Sequence, residues 1–293
     1  MPDKKIALVL SGGGAKGAFQ MAAERYARKQ MDYKWSVIAG VSVGALNAVM
    51  LGMEKYTELE KLWETITKDK IMTGKLNLFT YVKLLFGKKS IYGNKPLKKL
   101  IDQEVDPERI KIPVKIGAVS LKTGLYQAFK ADHFGFRELV LSSTAIPIVW
   151  EPVQVSNLYQ EMVDGGLRNI SPLGDVIDED PDEVVIINCS PREPHATSKP
   201  MKRILDIAMR TVDIMTNEIF INDVREFLRI NMLVKQAEAS GCKLHKADGR
   251  EYKYFECKII EPREDLGDTL DFSADVIAQR IRAGEATARE VLG

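Results

Sequence analysis

Residues 35–53, WSVIAGVSVGALNAVMLGM, run for nineteen positions without a charge between Lys34 and Glu54. Two structures can hold such a stretch. One is a membrane-spanning helix, since the length just reaches the roughly 20 residues a bilayer requires. The other is a strand and a buried helix joined at a sharp turn. Gly40, Ser42, Gly44, Asn47 and Gly52 are more small and polar residues than a lone spanning helix carries. Val37, Ile38, Ala39 and Val41 form a short, largely β-branched run. After Gly44, residues 45, 46 and 48–51 are apolar on nearly every side, as a buried helix is. The junction, Gly40-Val41-Ser42-Val43-Gly44, fits the G-x-S-x-G nucleophile elbow, which lifts a serine hydroxyl clear of the backbone. Side chains at 40 and 44 would collide with the neighbouring strand and helix. The serine then lies at a helix N-terminus, where the dipole favours developing negative charge. These features favour the elbow over a membrane span.

A second motif precedes it. Ile6 to Leu10 reads as a first strand and runs straight into Ser11-Gly12-Gly13-Gly14-Ala15-Lys16-Gly17. Gly12, Gly14 and Gly17 match the G-x-G-x-x-G dinucleotide fingerprint, but that fingerprint needs an acidic residue at the end of the second strand. Gly40-Val41-Ser42 stands there instead, and Asp32 precedes the strand. A phosphate-binding P-loop fits worse, because no Gly-Lys-Ser/Thr follows. The remaining ligand-binding reading is an oxyanion hole, in which successive glycines turn backbone N–H groups toward one point. A tight turn without a ligand is the plain alternative.

A serine hydroxyl needs a base. The chain has three histidines, His133, His195 and His245. Ser42, Asp164 and His195 follow the chain order of an α/β-hydrolase triad, yet His195 sits in the proline-rich run SPREPHATS, the setting of a solvated loop. Asp164 ends an apolar-alternating run and is followed by Gly165 and Gly166, a sequence that also makes an ordinary turn. For Asp164 to act directly on Ser42, burial must raise its pKa from near 3.9.

Taken together, GGGAKG, GVSVG and DGG resemble, in order, the three motifs of the patatin-like phospholipases. Ser143-Thr144-Ala145-Ile146-Pro147, Asn169 and Pro172 extend the resemblance, which spans about residues 5–190. It implies a three-layer α/β/α fold with a central, mostly parallel sheet, and lipid acyl hydrolysis by a Ser–Asp dyad. Carried over by motif, the nucleophile is Ser42, the base Asp164, and the oxyanion donors Gly12, Gly13 and Gly14. Lys16 stands where the family carries a basic residue, and Gly17, Gly40, Gly44, Gly165 and Gly166 shape the turns. It implies a phospholipid or other acyl-lipid substrate and no metal or organic cofactor, and it makes His195 unnecessary. Two alternatives stay open: a Ser42–Asp164–His195 esterase, and a non-catalytic lipid- or nucleotide-binding protein that uses the glycine loop as a cradle.

Composition fits this reading. Forty-two basic and 41 acidic side chains leave a net charge of +1, which argues against a nucleic-acid binder. Cys189, Cys242 and Cys257, odd in number and without CxxC spacing, suit reduced thiols and a cytoplasmic setting. Residues 68–99 hold nine lysines and one acid, Asp69, interleaved with Leu78, Phe79, Val82, Leu85 and Phe86. Such a segment either lies on an anionic membrane surface or packs its apolar face on the core. Beyond residue 200 the spacing predicts two helices, whose Met201, Met209, Met215 and Met232 suit helix core or an acyl groove. Tyr252–Ile260 reads as a strand, and 273–292, from a cap-like Ser273, as a closing helix. The expected organisation is one domain over 1–293: a catalytic core of about 4–190 and a helical extension of about 191–293.

Overall fold

The structure is a computed structural model and describes residues 4–74, 87, 89–193, 196, 200–202 and 204–293. Its strands are β1 (Ile6–Leu10), β2 (Trp35–Val41), β3 (Val114–Ser120), β4 (Tyr126–Lys130), β5 (Met162–Asp164), β6 (Glu183–Ile187) and β7 (Glu256–Ile260). Its helices are α1 (Gly17–Gln30), α2 (Val43–Gly52), α3 (Tyr56–Thr65), α4 (Lys68–Ile71), α5 (Lys95–Glu104), α6 (Phe136–Ser143), α7 (Leu173–Ile177), α8 (Ile204–Ala239) and α9 (Ala274–Leu292).

The strands form one mixed sheet in the order β4-β3-β2-β1-β6-β7, with β5 also paired to β3. β4 and β5 run antiparallel to β3; the other pairings are parallel. Leu8 and Leu10 of β1 face one apolar core, while Ala7 and Val9 face a second. Burial on both faces explains why the central strands read as continuous apolar runs. Residues of α1, α2 and α9 fill the first core, and residues of α7 and α8 cover the second. The result is a three-layer α/β/α arrangement, and residues 35–53 are strand, elbow and helix. Among the described residues no helix is long and apolar enough to cross a membrane.

Four expectations change in detail. The region after 204 is one helix of 36 residues rather than two; no proline or glycine interrupts it, and it stops just before Gly241, whose φ of +71° ends helices readily. Met215 and Met232 are exposed and serve neither core nor groove, Met201 is exposed at the rim of a hollow beside Lys16 and Asp265, and Met209 alone of the four packs against the core. The strand expected from Tyr252 begins at Glu256, because its partner β6 offers only five residues and Asn231 binds the backbone of Phe255 on both sides. Ser273 does precede α9, but its side chain makes no capping bond; its carbonyl accepts from Ile277 N. The apolar face of the 68–99 segment, residues 78–86, lies outside the described residues. Of the described part, α5 buries Leu97 and Ile101 in the core and leaves Lys98 half-exposed, paired with Asp102.

Candidate active site

The elbow forms because β2 must turn directly into α2 beneath its neighbours. A Cβ on Gly40 would lie 2.2 Å from the Gly44 carbonyl oxygen, and one on Gly44 would lie 2.2 Å from the Leu10 oxygen, so both positions exclude any other residue. Ser42 takes the strain of the turn, with φ 56° and ψ −128°. Such a conformation costs a non-glycine residue about 1–3 kcal/mol and persists only when its surroundings impose it. Here the surroundings include Ser143, whose Oγ accepts the Ser42 amide at 3.0 Å. The side chain is only 5% exposed.

Register on β3 brings Asp164 alongside. Val41 pairs with Gly117, the last contact of β2 before the elbow, and Asp164 of β5 pairs with the next residue, Ala118. With β4 on the opposite edge, β5 takes over the edge of β3 that β2 vacates. The first residue past β2 and the last residue of β5 therefore converge from different parts of the chain. The Asp164 amide donates to Ala145 O at 3.1 Å, which ties β5 to the segment following α6. Its carboxylate accepts the Gly166 amide at 2.8 Å. Burial pushes this carboxyl from an ordinary 3.8 up to about 7, against the opposing pull of hydrogen bonds from the Ser42 hydroxyl and Gly166 N–H. No cation enters that balance. A carboxylate so placed is a base poised near neutrality.

The glycine loop divides its tasks. Gly12 N donates to Ile170 O at 3.0 Å, so its amide is already committed, and a Cβ there would meet Ile170 at 2.5 Å and Ser42 at 3.2 Å. Among the described residues no protein acceptor bonds the Gly13 or Gly14 amides. Gly14 has φ +55°, and its missing Cβ would lie 2.5 Å from Thr269 O. That same oxygen accepts Ala15 N at 2.8 Å. Lys16 is buried and pairs with Asp265 at 2.9 Å. A segment from the far end of the chain thus clamps the loop, and Arg280 of α9 fastens the segment: its fully buried guanidinium donates to the carbonyls of Leu266, Asp268 and Asp271 at 2.8–3.0 Å.

Two cavities meet at Ser42, sharing Gly14 and Ile146. The first is a cleft that also holds Asp164 and is walled by one face of α8, residues 209, 212, 213, 216, 217 and 220. The second is lined almost wholly by carbon, with Leu46, Leu62, Trp63, Leu97, Leu100 and Trp150 among its walls. They enclose roughly 700 and 570 Å³, open mouths included, within the range of small-ligand sites.

Ser42, Asp164, Gly12, Gly13, Gly14 and Lys16 are therefore brought to one place, with Gly17, Gly40, Gly44, Gly165 and Gly166 at the turns around them. His195 lies outside the described residues, and none of the described residues lining the cleft is a histidine. Sequence reasoning missed the α8 wall and the clamp of Asp265, Thr269 and Arg280. Asn217 and Asp213, polar residues recurring on one helical face, carried the only readable signal; nothing local marks Thr269.

The chain matches the family model described as Patatin-like phospholipase over residues 8–177, a span that contains both Ser42 and Asp164. Among solved structures it resembles VipD from Legionella pneumophila, with a TM-score of 0.52 and 14% identity over 99% of this chain and 67% of that one. That likeness concerns the fold. No curated protein sequence matches significantly. The family match covers more than half of the residues, and the chain belongs to the patatin-like phospholipase family.

Proposed function

We propose that the protein hydrolyses fatty-acyl esters of phospholipids or related lipids, with Ser42 as nucleophile and Asp164 as its base. The observation that carries this reading is a buried carboxyl, raised to about 7 with no cation beside it among the described residues, that lines one cleft with a strained serine at a strand–helix elbow and feels its hydroxyl. The patatin-like family, whose members are generally lipid acyl hydrolases, supplies the substrate class.

The steps follow from the arrangement. Asp164 accepts the Ser42 proton as Oγ attacks the ester carbonyl carbon. The carbonyl oxygen becomes an oxyanion, held by the Gly13 and Gly14 amides and the N-terminus of α2. The tetrahedral species collapses, the C–O bond to the alcohol breaks, and the departing oxygen takes the proton from Asp164. Water then attacks the acyl-enzyme, Asp164 takes its proton, and collapse releases the fatty acid and restores the Ser42 hydroxyl. The carbon-lined cavity suits the acyl chain, and the cleft beneath α8, whose walls mix apolar side chains with Asn188, Ser190 and Asp213, suits the alcohol half. Gly12 supports the loop through its bond to Ile170 rather than serving as a donor.

Fatty-acid release from mixed phospholipid vesicles, without added metal, tests the reading on wild type, Ser42→Ala, Asp164→Ala and His195→Ala. Loss in the first two variants with activity kept in the third supports the dyad. Equal loss in His195→Ala favours a triad. A folded wild type that releases nothing, and whose Ser42 is not labelled by a fluorophosphonate, refutes hydrolysis.

A further inference from the structure

The 36 residues of α8 change character along their length. The C-terminal half is an ordinary surface helix: Phe220, Val224 and Val234 are buried, while Asn222, Arg225, Glu226 and Arg229 are exposed. The half that walls the cleft is arranged the other way. Its inner face brings Asp213, Thr216 and Asn217 to the cleft beside Met209 and Val212. Its outer face presents Ile204, Ile207, Ile214 and Met215, exposed by 73, 52, 54 and 60%. At 3.6 residues per turn these four and the exposed Thr211 fall on one stripe, opposite the residues that line the cleft. The charges of this half lie off the stripe: Asp206 is buried, and Arg210 and Asp213 are half-buried and paired with each other. Single exposed apolar side chains are normal on a protein surface, but a charge-free stripe running about three turns marks a contact face.

Taking its partner from the hydrolase reading above, we infer that the outer face of residues 204–215 docks on a phospholipid surface. The stripe is the back of the helix whose front walls the cleft, so it faces the surface that delivers the substrate. Lys199, Lys202 and Arg203, three cations in five residues, immediately precede it and complement anionic headgroups. A helix with an apolar face and cations at its edge lies in the plane of a lipid interface. A second copy of the chain is a poorer occupant, because a stable protein interface engages roughly 20–30 residues a side and the stripe offers four large side chains. Docked this way, the cleft lies one helix diameter, about 10–12 Å, from the lipid. The hold is mainly apolar, so salt weakens it less than it would weaken docking through the lysines of 68–99.

The test is flotation with vesicles of phosphatidylcholine and phosphatidylglycerol, on wild type and on Ile207→Gln/Ile214→Gln/Met215→Gln. Glutamine is a good helix former, and none of the three residues lines the cleft. The triple variant should bind at least about tenfold more weakly, at high salt as well as low. Fatty-acid release from vesicles should fall with it, while a water-soluble p-nitrophenyl ester is cleaved at the wild-type rate. Glu226→Gln/Arg229→Gln, on the outward face of the other half, should bind as wild type does. In wild type, vesicles should slow amide exchange at 204–216 and not at 222–236, a readout that stands even if the triple variant fails to fold. A wild type that does not float, unchanged binding by the triple variant, equal loss of soluble-ester cleavage, or protection confined to other segments overturns the assignment. So does a wild-type dimer that the triple variant dissociates, since the face is then a contact between copies. A wild type that cleaves neither substrate removes the hydrolase reading alone, and binding and exchange then decide the docking face.

Discussion

Replacing Asp164 by Asn should make the protein more stable and inactive at once, and the gain should depend on pH. Burial moves the carboxyl from 3.8 to about 7 in the fold. The folded pKa lies above the unfolded one, so the group favours folding most below about pH 4, where both states hold the proton. As pH rises toward 7 the unfolded chain ionises while the folded one keeps its proton, and stability falls. Above the folded pKa both states are charged and the loss levels off. Three units at 1.36 kcal/mol each set a ceiling of about 4 kcal/mol, of which roughly 2–3 accrues between about pH 5 and about pH 8. Asn keeps an oxygen for the Gly166 amide but cannot ionise, so it lacks this pH-dependent penalty. Urea unfolding of both proteins at those two pH values gives the difference directly. Asp164→Asn should be the more stable at the higher pH by that margin, with much of its advantage gone at the lower. A stability difference that does not change with pH would refute the reasoning, since Asp164 would then titrate in the fold as it does in water.

The same shift sets the kinetics: kcat/KM of wild type should rise with pH and level off above about 7, because only the carboxylate can take the serine proton. A pH–rate profile with no inflection near there removes Asp164 as the base. Gly14→Ala puts a Cβ 2.5 Å from Thr269 O at a positive φ and should lower kcat by about 10²–10³, with a smaller effect on KM, in steady-state assays on a soluble ester. Leu46→Phe narrows the carbon-lined cavity and should shift preference toward shorter acyl chains by about tenfold, read from kcat/KM across p-nitrophenyl esters. Arg280→Met leaves three buried carbonyl groups without their cation and should destabilise by about 3–5 kcal/mol in urea, with amide exchange rising first in 265–272. Binding to anionic vesicles should weaken with salt and with replacement of the lysines in 68–99; indifference to both excludes docking through that segment.

The central fold was legible because it rests on local sequence, and the meeting of Ser42 with Asp164 because both residues sit in recognisable motifs. β1 and β2 announce themselves as apolar runs, and the elbow as two glycines around a serine whose positions admit no side chain. Asp164 was legible only through its glycines and its place among motifs; its reason for being there is the register of β3, a pairing no local pattern encodes. What escaped depends on long-range packing. Thr269 reaches Ala15 across more than 250 residues, and Arg280 looks in sequence like any exposed helical arginine, although the fold buries it completely. The commitment of Gly12 N to Ile170 O was equally hidden, so three candidate donors read alike where two amides have no acceptor among the described residues.

The costs of the structure gather where the chemistry would occur. Ser42 holds a backbone conformation that favours glycine, and among the described residues Asp164 is buried with no cation beside it and the buried Asn217 oxygen has no partner. Each is worth on the order of 1–4 kcal/mol against folding. A protein of ordinary stability, about 5–15 kcal/mol, tolerates such a concentration only if the surrounding packing is strong. The two cores on either face of the sheet supply it, and the residues that close on the site, Ser143, Ala145, Ile170 and Thr269, come from three separate segments. Relieving any of the three strains separately should stabilise the fold, which is the mark of a site shaped by its reaction rather than by folding alone. The clamp from 265–272 makes the same point from the other side. It lies beyond residue 177, where the family match ends, yet it grips the glycine loop at Ala15 and Lys16, so the geometry of the proposed oxyanion loop is set jointly by both ends of the chain.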